Sequence, residues 1–276
     1  MQHLKTTLIT GGTGKTGRRI AQRLTALGHP IRIGSRNAEV PFDWEQPATW
    51  GPALQNVGAL YLCFQPDLAI PGAVEIITAL TAQAAAAGVQ RVVLLSGRGE
   101  EAAQACEEVV MASGMQWTVV RASWFNQNFS EGPFLPGVQA GAVAFPAGTT
   151  AEPFIDVEDI ADVAAAALSE DGHAGELYEV TGPRLMTFAD AVHEIGAAAG
   201  RDLSFIDASP NDYLAGLLAE GVPTPMAEFL VWLSQTVLDG RNATVTDGVQ
   251  RALGRPARDF SDFAKATAAT GVWSAS

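Results

Sequence analysis

The residues that decide the fold are Thr10-Gly11-Gly12-Thr13-Gly14-Lys15-Thr16-Gly17, which separate a short apolar stretch from an amphipathic one. Before them, Thr6–Thr10 is β-branched and apolar, as expected for a strand. After them, apolar residues recur at helical spacing until Gly28, and a glycine is well suited to end a helix. The sequence therefore predicts a strand, a glycine-rich loop and a helix in immediate succession.

The spacing of the glycines at 11, 14 and 17 predicts a loop that binds a dinucleotide. Gly11 allows a sharp turn, Gly14 lets a pyrophosphate approach the backbone, and Gly17 allows close packing of the helix. The N-terminus of the helix would then bind the two phosphates. A triphosphate-binding P-loop would need a glycine where Ile9 stands, so we exclude it; a purely structural turn is the alternative. The predicted cofactor contacts in this loop are Gly11, Thr13, Gly14, Lys15, Thr16 and Gly17.

The rest of the first half repeats the alternation of strand and helix. Apolar runs predict further strands, and helical spacing predicts further helices: strands at 30–34, 59–64, 91–96 and 117–120, helices at 72–87 and 100–112. Such βαβ units predict an α/β fold with a doubly wound parallel sheet. We place this Rossmann domain at residues 1–125, and a smaller substrate-facing α/β lobe, interleaved with it, at 126–276.

The second half has a looser rhythm. Helices are predicted from 156 to 168 and from 187 to 200, and the second begins with a capping box formed by Thr187 and Asp190. The segment 212–238 is strongly apolar. We expect it to cover a substrate pocket.

Composition excludes several classes of protein. The net charge is −13, with 17 Lys and Arg against 30 Asp and Glu, and such a chain would repel a polyanion, so no nucleic-acid partner is expected. No apolar run reaches the roughly 18–20 residues that cross a bilayer, and no signal peptide is recognised, so we expect no membrane partner and a cytoplasmic location. Cys63 and Cys106 are too few for a disulfide framework, and no metal site is expected. The oligomeric state is left open.

The end of the second predicted strand indicates which dinucleotide is bound. Ser35 and Arg36 stand where NAD-binding folds carry an acid for the ribose hydroxyls. A hydroxyl beside a guanidinium suits a 2′-phosphate, so NADP(H) is favoured. NAD(H) is the alternative, since Arg36 could also be a solvated surface side chain. Asp43, on the next segment, either approaches the adenine amino group or caps a turn.

The carboxyl ends of the other predicted strands should border the nicotinamide, because ligands of doubly wound sheets lie across these ends. The residues expected there are Cys63, Phe64, Gln65, Ser96, Gly97, Trp124 and Phe125. The three aromatic side chains among them either form the walls of a slot for a planar substrate or pack in the core. The catalytic residues are unknown, with Ser96 and Trp124 as candidates; Ser96 either donates to a substrate carbonyl or satisfies backbone groups.

Together these features resemble the NmrA-like branch of the atypical short-chain dehydrogenases/reductases. The stretches that carry the resemblance are 10–17, Arg36, Ser96, Gly97, Glu107, Ser113, Gly114, Trp117, Arg121, Phe125, 155–161 and 253–256. The resemblance implies a Rossmann fold and an NAD(P) cofactor. It also implies one of two activities, reduction of a quinone or aromatic ring, or redox sensing with little or no catalysis.

One departure from the short-chain dehydrogenases bears on the reaction. Their Tyr-x-x-x-Lys dyad, in which the lysine lowers the pKa of the tyrosine, is missing, since none of the three tyrosines has a lysine four positions later. We therefore predict an NAD(P)H-dependent oxidoreductase acting on an acceptor that needs little acid help, such as a quinone or a polycyclic aromatic of secondary metabolism. The alternatives are a non-catalytic redox sensor that acts through a protein partner, and an isomerase or ring-opening enzyme that keeps its cofactor bound.

Overall fold

The predicted strand, glycine loop and helix form as the sequence indicates. In the computed structural model, which describes residues 5–274, β1 (Thr6–Thr10) leads through the loop into α1 (Lys15–Ala26). Ile20 and Leu24, which recur at helical spacing, are fully buried. The chain leaves the helix at Gly28 with a left-handed φ of 75°. α1 begins at Lys15, before the first apolar residue of its pattern, because its first turn is formed by residues of the glycine-rich loop.

The central sheet has six parallel strands. They are β1, β2 (Ile31–Gly34), β3 (Val57–Leu62), β4 (Arg91–Gly97), β5 (Gln116–Ala122) and β8 (Glu176–Val180). The order across the sheet is β2-β1-β3-β4-β5-β8, and every neighbouring pair is parallel. This confirms the predicted fold class. The order reverses between β1 and β3, and the carboxyl ends of strands at such a point form the crevice in which doubly wound sheets bind ligands.

Six α-helices of the described residues belong to the same unit as this sheet. Besides α1 and a single 3-10 turn at Pro47–Thr49 they are α2 (Trp50–Leu54), α3 (Ala73–Ala86), α4 (Glu101–Met111), α7 (Val157–Ser169) and α11 (Gly248–Leu253). Ion pairs join α1 to α7, since Arg19 lies 2.5 Å from Glu158 and Arg23 lies 2.5 Å from Asp162. These contacts fix the helix of the glycine loop against a helix that follows much later in the chain.

The second unit contains two small sheets and six helices. Its strands are β6 (Ala142–Phe145) parallel to β10 (Ser204–Asp207), and β7 (Ala151–Glu152) antiparallel to β9 (Met186–Thr187). Its helices are α5 (Asn128–Glu131), α6 (Leu135–Ala140), α8 (Phe188–Ala199), α9 (Pro210–Ala219), α10 (Thr224–Val237) and α12 (Phe260–Ala268). The predicted capping box is present, because Asp190 N–H donates to Thr187 Oγ1 and Thr187 N–H donates to Asp190 Oδ2. Phe129 and Phe188 are fully buried in an aromatic core.

The two units are interleaved along the chain. The first comprises the described residues up to Ala122, together with Val157–Val180 and Asp247–Pro256. The second comprises Ser123–Asp156, Thr181–Thr246 and the described residues from Ala257 onward. This division differs from a boundary at residue 125, because residues 123–125 belong to the second unit and the two later segments belong to the first. The first of these segments contains β8, which pairs with β5. Within residues 5–274, no helix has both the length and the apolar character needed to cross a membrane.

Candidate functional site

The glycine loop at the carboxyl end of β1 is a tight turn. Gly14 N–H donates to the Gly11 carbonyl oxygen over 2.8 Å, and Gly11 has a φ of +61°, a conformation that favours glycine. A Cβ built on Gly17 would lie 2.3 Å from the same carbonyl oxygen, so only glycine fits there. The turn leads directly into the N-terminus of α1, and such an end of a helix attracts anions through its N–H groups and its partial positive charge.

Gly12 has a steric requirement that the spacing of the other glycines does not reveal. A Cβ on Gly12 would lie 2.9 Å from the Ile9 carbonyl oxygen and 2.9 Å from Ile33 Cγ2. Ile33 lies on β2, and this contact therefore depends on the pairing of β1 with β2. No signal within the loop itself could have predicted it.

Hydrogen bonds from Thr10 and Tyr61 fix the loop on β3. The Thr10 hydroxyl accepts from Cys63 N–H at 2.8 Å and donates to the Tyr61 carbonyl oxygen at 3.0 Å. The Tyr61 hydroxyl donates to Thr16 Oγ1 at 2.9 Å, so this predicted cofactor contact is buried and engaged within the protein. Burial raises the pKa of the Cys63 thiol to about 11, which keeps the sulfur beside Gly11 neutral at physiological pH.

A cavity of about 590 Å³ extends from the glycine loop past the carboxyl ends of β1 and β2. Its volume is typical of sites that hold small molecules and cofactors. Six predicted cofactor contacts line it: Gly11, Thr13, Ser35, Arg36, Asp43 and Gln65. The other predicted contacts do not line it: Gly14, Lys15, Thr16, Gly17, Cys63, Phe64, Ser96, Gly97 and Phe125. The fold thus brings together residues from four separate stretches of sequence.

The charges in this cavity have both signs. Arg36 at the end of β2 is exposed, and Ser35 beside it is half-buried. Glu45 also lines the cavity and is exposed. An anion entering at this end would therefore be attracted by Arg36 and repelled by Glu45.

Asp43 caps a turn, which is one of the two roles considered for it. Its Oδ1 accepts from Glu45 N–H at 3.0 Å, and its Oδ2 accepts from the Gln46 side-chain amide at 3.1 Å. The Asp43 carbonyl oxygen accepts from the Trp50 indole N–H at 2.7 Å. Because both carboxylate oxygens serve the turn, the side chain stabilises the wall of the cavity.

Two aromatic side chains beside Asp43 were not among the predicted site residues. Phe42 and Trp44 both line the cavity, and the ring of Trp44 stands nearly perpendicular to those of Phe42 and Phe64, with centroids 4.9 Å apart in each pair. Phe42 and Phe64 are buried, so Phe64 packs in the core, the alternative considered for it. The sequence signal that could have identified them is the pair of aromatic residues on either side of Asp43, in an otherwise polar segment.

Ser96, a candidate catalytic residue, belongs to a charged network at the ends of β4, β5 and β8. Its hydroxyl donates to Glu107 Oε1 over 2.6 Å and is buried. Glu107 pairs with Arg121 at 2.5 Å, and Arg121 pairs with Glu179 at 3.3 Å. The hydrogen bond to Glu107 raises the pKa of Arg121 above its usual value. The Ser96 hydroxyl therefore donates its hydrogen bond to Glu107 and not to a substrate carbonyl. From the sequence, Glu107 was not considered as its partner.

A pair of carboxyl groups, the half-buried Asp67 and the buried Glu100, follows the ends of β3 and β4. The two groups share a hydrogen bond. Burial is the main cause that raises the pKa of Glu100 to about 9, and the neighbouring charge of Asp67 is the second. Burial also raises the pKa of Asp67. Glu100 therefore carries a proton at neutral pH and can donate it. Its carboxyl covers Gly97, where a Cβ would lie 2.1 Å from Glu100 Oε1, so Glu100 occupies the space beside this predicted cofactor contact.

Trp124 and Phe125 belong to the second unit. The ring of Trp124 packs against those of Phe145 and Phe188, with centroids 5.6 and 5.5 Å away and interplanar angles of 69° and 82°. This is the core-packing alternative considered for Trp124. Phe125 is half-buried and forms a parallel bridge with Ile155, which fixes the backbone just beyond β5.

Comparison with known proteins assigns this arrangement to a family. A family model described as NAD(P)H-binding matches residues 11–171, from the glycine loop to the end of α7. The chain belongs to this NAD(P)H-binding family. The match covers every residue that lines the cavity.

Relatives of this NAD(P)H-binding protein match it over nearly its whole length. The YesF oxidoreductase of Bacillus subtilis (strain 168) is 34% identical over 96% of this chain and 97% of its own. The NAD(P)H azoreductase of Xenophilus azovorans is 30% identical over 95% of this chain and 98% of its own. The solved structure of the Escherichia coli quinone oxidoreductase QOR2 with NADPH has the same fold, with a TM-score of 0.75 at 21% identity over 95% of this chain and 99% of that one. The predicted family resemblance and the prediction of an NAD(P)H-dependent oxidoreductase are confirmed.

Proposed function

We propose that this chain is an NADP(H)-dependent reductase of a quinone or a polycyclic aromatic compound. The observation that carries the proposal is the cavity that joins the glycine loop to Ser35 and Arg36 at the point where the strand order reverses. A dinucleotide in this fold lies across the carboxyl ends of the strands, with its diphosphate at the N-terminus of the first helix. Arg36 is then available for the 2′-phosphate that distinguishes NADP(H) from NAD(H).

The residues of the loop fit such a cofactor. Gly11 and Gly17 leave no side chain in the turn, and a Cβ on Gly14 would have only the Gly11 carbonyl oxygen at 3.2 Å and Gln65 Nε2 at 3.9 Å as neighbours. The side of Gly14 that faces away from the turn is therefore open to a phosphate. When bound, the nicotinamide supplies the hydride. In this proposal the loop binds the diphosphate, Arg36 orients the adenosine end, and Gln65 contacts the cofactor at the carboxyl end of β3.

The substrate class is supported by the chemistry of the chain and by its relatives. The absence of a Tyr-x-x-x-Lys dyad favours an acceptor that takes a hydride without strong acid assistance. Two curated or solved relatives are named as an azoreductase and a quinone oxidoreductase, whose named substrate classes are conjugated acceptors.

The proposal extends to surroundings and partners. We place the activity in the cytosol and expect no nucleic-acid partner, because the net charge of −13 opposes binding to a polyanion. The partner in this proposal is the small aromatic or quinone substrate alone.

The test is a direct assay of turnover. The protein is incubated with NADPH and a panel of benzoquinone, naphthoquinone, anthraquinone and azo compounds, and absorbance at 340 nm is followed; the Gly14→Val variant, checked for folding by circular dichroism, is the matched control. We expect oxidation of NADPH that depends on an acceptor and is lost in the variant. A wild-type protein that binds NADPH by calorimetry but reduces none of the acceptors would contradict the proposal and favour the redox-sensor alternative.

A further inference from the structure

Trp44 lines the cofactor cavity but has no role in the function proposed above. The neighbouring rings of Phe42 and Phe64 hold its indole in place, with centroids 4.9 Å away and interplanar angles of 88° and 72°. Phe42 is 2% exposed and Phe64 is 6% exposed, so the indole rests on core residues. An aromatic side chain fixed in this way loses little conformational entropy when a ligand stacks on it.

The place of Trp44 in the cavity indicates which part of a ligand it meets. The cavity has the glycine loop, suited to a diphosphate, at one side, and Arg36, suited to a 2′-phosphate, at another. In NADP(H) the ribose that joins these two phosphate groups also carries the adenine, so the adenine must lie close to this part of the cavity. Of the described residues that line the cavity, Phe42 and Trp44 are the aromatic ones, and Phe42 is almost fully buried whereas Trp44 is half-buried, so Trp44 is the aromatic side chain that a ligand can contact.

The Asp43 carboxylate beside Trp44 is held in the wall of the cavity. Both of its oxygens accept hydrogen bonds from the turn formed with Glu45 and Gln46. This turn fixes the backbone on either side of Trp44 and holds its indole at the edge of the cavity, where a base can stack on it. Stacking of a base on an aromatic side chain needs no particular hydrogen-bonding pattern on the base and contributes measurably to affinity.

We propose that Trp44 is the adenine platform of this protein, with its indole stacked on the adenine ring of the bound dinucleotide. This inference rests on the cofactor site of the proposed function. It makes Trp44 a specificity-determining residue for the adenosine half of the cofactor, separate from the nicotinamide half that reacts.

The experiment separates the two halves of the cofactor with two probes. Adenosine 2′,5′-bisphosphate carries the adenine and the 2′-phosphate without nicotinamide, and reduced nicotinamide mononucleotide carries the nicotinamide without adenine. Affinities are measured by calorimetry for the wild type, Trp44→Leu and Trp44→Phe. We expect Trp44→Leu to weaken the binding of adenosine 2′,5′-bisphosphate about tenfold, a typical effect of removing a stacked aromatic side chain, and Trp44→Phe to retain affinity within about threefold. The affinity for reduced nicotinamide mononucleotide should not change in either variant.

A control variant guards against a general disturbance of the hydrophobic core. Trp117 on β5 is half-buried, as Trp44 is, and packs against the same hydrophobic core, but it does not line the cavity. Trp117→Leu should therefore leave the affinity for adenosine 2′,5′-bisphosphate close to that of the wild type. Unchanged binding of this probe in Trp44→Leu, or equal losses for both probes, would overturn the inference.

The failure of this inference differs from the failure of the proposed function. A wild type that reduces quinones while Trp44→Leu still binds adenosine 2′,5′-bisphosphate normally refutes the adenine platform and leaves the reductase intact. The converse result is a wild type that reduces no acceptor but needs an aromatic residue at position 44 to bind adenosine 2′,5′-bisphosphate. That result refutes the proposed reductase and supports the role of Trp44 as the adenine platform.

Discussion

Replacing Glu100 by glutamine should make the stability of the protein less dependent on pH. The folded-state pKa of Glu100 is about 9, against a usual value of 4.5, and burial is the main cause. Because the folded-state pKa is raised, the contribution of this group to stability is fully present below pH 4.5 and is lost as the pH rises toward 9. Between pH 4.5 and pH 7 the loss spans about 2.5 pKa units, which corresponds to about 3 kcal/mol.

Glutamine keeps the shape of a protonated glutamate and can still donate to Asp67, but it has no proton to lose. The Glu100→Gln variant should therefore lose about 4 kcal/mol less stability than the wild type between pH 5 and pH 8. Urea unfolding followed by far-UV circular dichroism at several pH values measures this difference. Glu101→Gln is the matched control, since Glu101 is the next residue and is exposed, and its pH profile should follow that of the wild type. Parallel stability profiles for Glu100→Gln and the wild type would refute the assignment of a buried, protonated Glu100.

Three further predictions concern the cofactor site. Gly14→Val should abolish dinucleotide binding in a folded protein, because the branched side chain would fill the open side of the loop; calorimetry that shows unchanged affinity would contradict the loop assignment. Arg36→Ala should weaken NADPH binding about tenfold, in line with the loss of a charge-assisted contact of about 1.5 kcal/mol, and leave NADH binding nearly unchanged; equal losses for both cofactors would show that Arg36 does not contact the 2′-phosphate. Glu45→Gln should tighten NADPH binding about twofold to threefold at low salt by removing a like charge from the cavity, an effect that high salt should suppress; Glu39→Gln, which is exposed outside the cavity, is its control.

The features that could be predicted from the sequence depend on residues close together in the chain. The strand, loop and helix around Gly11 to Gly17 were predicted because their glycine spacing and apolar periodicity are local signals. The capping box of Thr187 and Asp190 was predicted for the same reason, since the two residues are only three positions apart in the chain. Both features occur where they were expected.

The features that could not be predicted depend on partners distant in the sequence or on the burial of a charged group. The steric demand on Gly12 comes from Ile33 on the neighbouring strand. From the sequence, Ser96 was a candidate donor either to a substrate carbonyl or to backbone groups. In the structure its hydroxyl donates to Glu107 at 2.6 Å, a partner 11 positions away in the chain. The raised pKa of Glu100 requires the low-polarity surroundings that only the folded chain creates.

The position of β8 at the edge of the central sheet has a consequence for biosynthesis. β8 pairs with β5, yet 53 residues separate the end of one strand at Ala122 from the start of the other at Glu176. A ribosome therefore delivers five strands of the sheet, then Ser123–Asp156 of the other unit, and only afterwards the sixth strand. Until Val180 has emerged, β5 remains an open sheet edge with unpaired backbone groups, a form that invites pairing with another chain. The nascent protein therefore carries this open edge throughout the synthesis of the 53 residues between the two strands.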